Sequence, residues 1–164
     1  MKRSLLVLAA MAMIGAGAAH AHGDEQRDTK KVEKRAISTE EKTFGREGDP
    51  KKVKRTITID MSDTMRFNPA QLVVKQGETV RFVVRNSGKT LHEFVLGTLQ
   101  ELQAHSELMR KHPGMEHRAP YMAHVAPGKT ERVVWRFTRT GEFYYGCLVP
   151  GHFESGMIGK VAVR

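Results

Sequence analysis

The chain has a single cysteine, Cys147, so it can close no internal disulfide. It has no apolar run long enough to cross a membrane as a helix. Its candidate, Leu5–Ala19, falls short of the roughly 20 apolar residues such a helix needs. There is no helix-turn-helix pattern, no RNA-binding signature and no long internal repeat. These absences disfavour a disulfide scaffold, a membrane span in the mature form and nucleic-acid binding.

What is present begins with a targeting signal. Met1-Lys2-Arg3 is a basic start, Leu5–Ala19 is apolar, and small residues end in Ala19-His20-Ala21. A basic n-region, an apolar h-region and an Ala-x-Ala site make a secretory signal peptide over residues 1–21, with cleavage after Ala19 or Ala21. The mature protein is therefore expected in the periplasm. An unpaired thiol in an exported protein is a liability unless something occupies it, which is the first pointer to a metal. The formal net charge of +9 includes Lys2 and Arg3 of the signal. The remaining excess suits a solvated basic surface that steers an acidic protein partner, and export argues against nucleic acid. A monomer is expected.

Residues 22–52 are dominated by charge, as in Lys30-Lys31-Val32-Glu33-Lys34-Arg35. Too few apolar groups recur there to offset ordering entropy, so a flexible tail is expected. From Val53 the pattern turns to period two. Alternation marks strands at Val53–Asp60, Thr79–Arg85 (Val80, Phe82 and Val84 on one side) and Thr130–Phe137 (through Val133 and Trp135). Gln71–Lys75, Leu91–Leu96, Glu142–Gly146 and Ile158–Val163 are further strands, separated by turns such as Asn68-Pro69, Gln76-Gly77-Glu78 and Asn86-Ser87-Gly88. Such spacing predicts an all-β sandwich or barrel. Leu99–Lys111 breaks the rhythm: it lacks β-branched residues and spaces its leucines helically, predicting one short helix on a loop, ended by Pro113-Gly114.

The chemistry concentrates in Gly146-Cys147-Leu148-Val149-Pro150-Gly151-His152-Phe153-Glu154-Ser155-Gly156-Met157. A thiolate, an imidazole and a thioether on one loop are a soft donor set. Soft sulfur selects copper, and two histidines, one cysteine and a weak axial methionine describe a blue-copper site. The second histidine must come from elsewhere, and His92, at a strand start after the Asn86-Ser87-Gly88 turn, is the candidate. These residues resemble the cupredoxin family, and the five-and-five spacing of Cys147, His152 and Met157 is closest to rusticyanin-like loops. The resemblance covers residues 53–164. It implies a Greek-key β-sandwich, one type 1 copper held by His92, Cys147, His152 and Met157, and one-electron chemistry. Many family members carry asparagine after the first histidine; here that position is Glu93.

A looser signal lies in His105, Met109, His112, Met115, His117, Met122 and His124, which crowd together between the helix and the next strand. Imidazole with thioether is a Cu(I)-binding palette, so weaker additional copper is expected there. His20 and His22 at the new N-terminus are further candidate copper ligands. These extras resemble cupredoxins of bacterial copper-tolerance systems. Two roles follow: a periplasmic electron carrier serving a redox partner protein, or a copper-handling protein serving copper tolerance alongside other copper-handling proteins. No enzyme is expected, because no His-x-His pair occurs outside the N-terminus to build the clusters of multicopper enzymes.

Overall fold

Alternation in the strands sorts side chains between one shared interior and two outer faces. In the computed structural model, which describes residues 36–113, 115 and 117–164, Val80, Phe82 and Val84 are fully buried while Arg85 between the strand's apolar positions and the turn is exposed. The expected signal peptide and the candidate ligands His20 and His22 lie outside the described residues.

In chain order the elements are β1 (Glu41–Lys42), β2 (Gly45–Glu47), a 3-10 turn (Pro50–Lys52), β3 (Arg55–Ser62), β4 (Arg66–Asn68), β5 (Gln71–Val74), β6 (Thr79–Asn86), β7 (His92–Gly97), α1 (Leu99–Lys111), β8 (Met122–Val125), β9 (Thr130–Arg136), β10 (Gly141–Gly146) and β11 (Ile158–Val163). A six-stranded sheet runs β1-β2-β9-β6-β3-β4, and a five-stranded sheet runs β5-β11-β10-β7-β8. Pairings β3–β6 and β5–β11 are parallel and the others antiparallel. The two sheets close on a core that includes Ile59, Phe82, Phe94, Trp135, Tyr145 and Val161. This is a sandwich, one of the two architectures that the alternation predicts, and the resemblance implied it as a Greek key.

The helix has the expected bounds. Thr98 caps it: its hydroxyl accepts from Glu101 N (3.2 Å), and the Glu101 carboxylate accepts from Thr98 N (2.8 Å). The reciprocal pair satisfies two otherwise orphaned donors. The buried face is Leu102, Ser106 and Met109, not Leu99 or Leu108, which are exposed. Leu102 and Met109 pack with Val95, Met122 and Leu148 in a second apolar cluster. Neighbours of Val95 on β7, Phe94 and Leu96, belong to the main core. Strand alternation therefore puts α1 on the outer face of the five-stranded sheet.

The expected tail, residues 22–52, is corrected over its described part. Residues 36–52 carry β1, β2 and the 3-10 turn, and β2 adds to the edge of the six-stranded sheet against β9. The anchor is Phe44, 3% exposed, stacked on Trp135 with ring centroids 5.1 Å apart and edge-on to Tyr121. The Trp135 indole N–H donates to the Phe44 carbonyl (2.9 Å). Gly45 makes this approach possible: its φ of 118° is in the left-handed region, and a Cβ there would run into the Arg136 carbonyl. One aromatic flanked by charge has no periodicity to reveal it.

Candidate metal centre

His92 opens β7 with the inward parity of Phe94 and Leu96, so its ring enters the sandwich and is fully buried. The preceding turn is pinned by Asn86, whose amide donates to Thr90 O (2.8 Å) and Val125 O (2.7 Å) and whose side-chain oxygen accepts from Gly88 N (2.9 Å). Cys147 follows β10, whose end pairs with β7 through Gly146 and Val95. The loop after it is stitched back on itself: Cys147 N donates to Met157 O (3.1 Å), Met157 N to His152 O (3.1 Å) and His152 N to Val149 O (2.9 Å). Sheet register thus brings the end of β10 beside the start of β7, and the loop returns His152 to the same place.

The outcome is one convergent donor set. Cys147 Sγ lies 3.3 Å from His152 Nδ1 and 3.9 Å from His92 Nδ1. One donor atom from each of the three residues lies within 4.8 Å of the others, and among the described residues no other such group of His, Cys, Asp or Glu is found. Met157, the fourth residue named from the sequence, is fully buried and joined by its backbone to both Cys147 and His152.

The electrostatics suit a cation. Burial pushes the Cys147 thiol up to about 12, against the lowering influence of the Glu93 and Val149 backbone N–H groups. Without a metal this sulfur keeps its proton; a bound cation supplies the charge that makes thiolate favourable there. Burial, then the neighbouring His92, lowers the His152 pKa, which favours the neutral imidazole that ligates metals. The Glu93 N–H donates to Cys147 Sγ (3.2 Å), a hydrogen bond that orients the sulfur lone pairs. Two imidazoles and one thiolate fit copper in both oxidation states, whereas a structural zinc site wants four strong donors.

Residues 53–164 match the family of copper binding proteins, plastocyanin/azurin family. The chain is a cupredoxin of that family. The cupredoxin is 54% identical over 121 residues to a copper-resistant cuproprotein CopI of Rubrivivax gelatinosus, covering 74% of this chain and 73% of that one. It is 30% identical to the copper-resistant cuproprotein CopI of Pseudomonas aeruginosa, over 98% of this chain and 94% of the relative. Among solved structures it resembles the auracyanin of Roseiflexus castenholzii (TM-score 0.59, 19% identity, 68% of this chain and 98% of that one) and an azurin of Methylomonas sp. strain J (TM-score 0.54, 20% identity, 68% and 99%). At those identities the solved structures speak for the fold.

One residue of the cupredoxin's site was not legible in the sequence. Asp63, in the turn after β3, accepts from His92 Nε2 (3.2 Å), which turns Nδ1 toward Cys147. Its carboxyl is held down at about 2, chiefly by the Lys89 backbone N–H and the Thr90 hydroxyl, so it stays ionised. Gly88 lets the turn close over it, since a Cβ there would collide with the carboxylate. A carboxylate behind a ligating histidine fixes its tautomer and ring orientation, and losing one typically costs 10–100-fold in metal affinity. Asp63→Asn should therefore weaken copper binding by roughly 10–100-fold without unfolding the protein. Competition against a chelator of known affinity measures this, and an unchanged affinity would remove Asp63 from the site.

The accessory residues named from the sequence do not form one group. Met109 and Met122 are buried in the apolar cluster under α1. His112 is the helix C-cap and exposed, and Met115 is 42% exposed. His105, His117 and His124 come together: ring centroids are 4.5 Å apart for His105–His117 and 6.3 Å for His117–His124. Glu93 joins them through a 3.1 Å contact from Oε1 to His124 Nε2.

Proposed function

We propose that this cupredoxin is an exported copper-resistance protein that holds one copper with His92, Cys147, His152 and Met157 and passes single electrons through it. The observation that carries the reading is the convergence of two imidazole Nδ1 atoms on one buried thiol. The copper-resistance role is supported by the names of the relatives at 54% and 30% identity. Copper held there supplies one-electron chemistry between Cu(I) and Cu(II).

The chain's own part is to hold the donors still and keep water away. Cys147, His92 and Met157 are fully buried, and the loop that carries three of the four donors is closed by its own backbone hydrogen bonds. A donor set fixed by the fold need not rearrange when charge changes. His152 is only partly buried, which makes it the donor nearest to a docking partner. The thioether of Met157 serves as a weak axial donor, in keeping with the two-histidine, one-cysteine set.

Met157→Leu tests the axial role. Taking away a thioether removes donor density mainly from Cu(II), so the variant should keep one copper and show a higher reduction potential. An unchanged or lower potential would exclude Met157 as a ligand. Loss of copper tolerance in a host lacking the protein, with normal growth at low copper, tests the physiological half. Unimpaired tolerance would leave a plain electron carrier.

A further inference from the structure

On β7 the alternation that sends His92 inward sends Glu93 outward, under α1. The whole residue is 3% exposed. Oε1 meets His124 Nε2, but Oε2 is buried with no hydrogen-bond partner. Across from it, both ring nitrogens of His117 are also buried and unpartnered. His117 sits between His105 on α1 and His124 on β8, in ring contact with each.

A buried polar atom without a partner costs about 1–3 kcal/mol, and three lie in this one place. Burial and the proximity of His117 lower the His105 pKa, which favours the neutral imidazole that ligates metals. A divalent cation would satisfy the orphaned carboxylate oxygen and an imidazole nitrogen at once. We propose that Glu93, His105, His117 and His124 form a second metal site, for a divalent ion of the imidazole-preferring class such as Cu(II) or Zn(II). The set holds no thiolate, and the nearby thioethers of Met109 and Met122 are packed in the apolar cluster, so it differs in kind from the first site. No three of these side chains yet bring donor atoms within 4.8 Å of one another, so binding an ion would have to draw them closer.

The second site would lie on the opposite face of β7 from His92, one residue along the strand. Glu93 would serve both sites: its N–H donates to Cys147 Sγ, and its carboxylate faces the histidines. This goes beyond the proposed function and does not depend on copper occupying the first site.

Zinc uptake tests it. The probe is Zn(II) added to the full chain carrying one equivalent of copper, with His20 and His22 replaced by alanine to remove the N-terminal ligands. After removal of loose metal by a weak chelator, the parent should retain one zinc per chain. His117→Ala with His124→Ala should reduce this to less than a tenth, while the visible absorption of the copper site stays in place and circular dichroism shows a folded protein. Glu93→Gln, which keeps the backbone N–H and the side-chain size, should lower zinc affinity at least tenfold. Cys147→Ser should still take up the zinc that the double histidine change removes, which separates this site from the first. No zinc retained by the parent, or undiminished zinc in the double variant, would overturn the proposal.

Discussion

Phe44→Ala should destabilise the protein by about 3–5 kcal/mol, the usual cost of truncating a buried phenylalanine. The ring is 3% exposed and lies against Trp135 and Tyr121. Its loss leaves a cavity beside the indole, and partial collapse of β2 would also endanger the indole N–H bond to the Phe44 carbonyl. For a domain of this size the melting temperature should fall by roughly 10 °C or more. Deleting residues 36–48 should cost more still, because it strips β2 from β9 and removes the bond from Gly48 N to Val134 O (3.0 Å). The charge-rich composition of residues 22–52 predicts the opposite: deletion of Gly23–Asp49 with almost no loss of stability. Urea unfolding of the two forms decides between them. A midpoint unchanged by Phe44→Ala would show that the packing of this segment adds nothing.

The strands that the sequence makes legible are those with β-branched or aromatic residues in strict alternation, such as β6 and β9. β8 escaped because Met122-Ala123-His124-Val125 has little β propensity and is held by pairing with β7. β1, β2 and β4 are too short and too charged to show a period. The donor loop was readable because three donors sit on one continuous segment whose order and spacing carry the chemistry. His92 could be named by its place after a turn, but Asp63 could not: it is 29 residues away and joins the site only when β3 lies beside β6.

The second cluster shows the same limit. Crowding of histidine and methionine is visible in the sequence, but which members meet is decided by α1 folding back on the sheet. His105 faces His117, while His112 caps the helix and is exposed. Glu93 reads from the sequence only as a departure from a family pattern. Strand parity places its carboxylate against His124, and only the fold reveals that.

Binding of copper through the Cys147 thiolate is what the convergence of His92, Cys147 and His152 supports. Its most direct test is the visible absorption spectrum of the protein loaded with one equivalent of copper, compared with that of Cys147→Ser. Sulfur-to-copper charge transfer is the source of strong colour at a site of this kind, and a serine hydroxyl cannot supply it. The pocket around this position is fully buried and its partners are in place, with His152 Nδ1 at 3.3 Å and the Glu93 N–H at 3.2 Å from the sulfur. Serine is close in shape to cysteine, so the fold should persist while the hard, neutral oxygen holds copper poorly. The parent should show an intense visible band with one copper per chain, and Cys147→Ser should lose that band with copper affinity reduced at least a hundredfold (about 2.7 kcal/mol or more, at about 1.4 kcal/mol per factor of ten). A Cys147→Ser protein as strongly coloured as the parent would contradict copper binding through that thiolate.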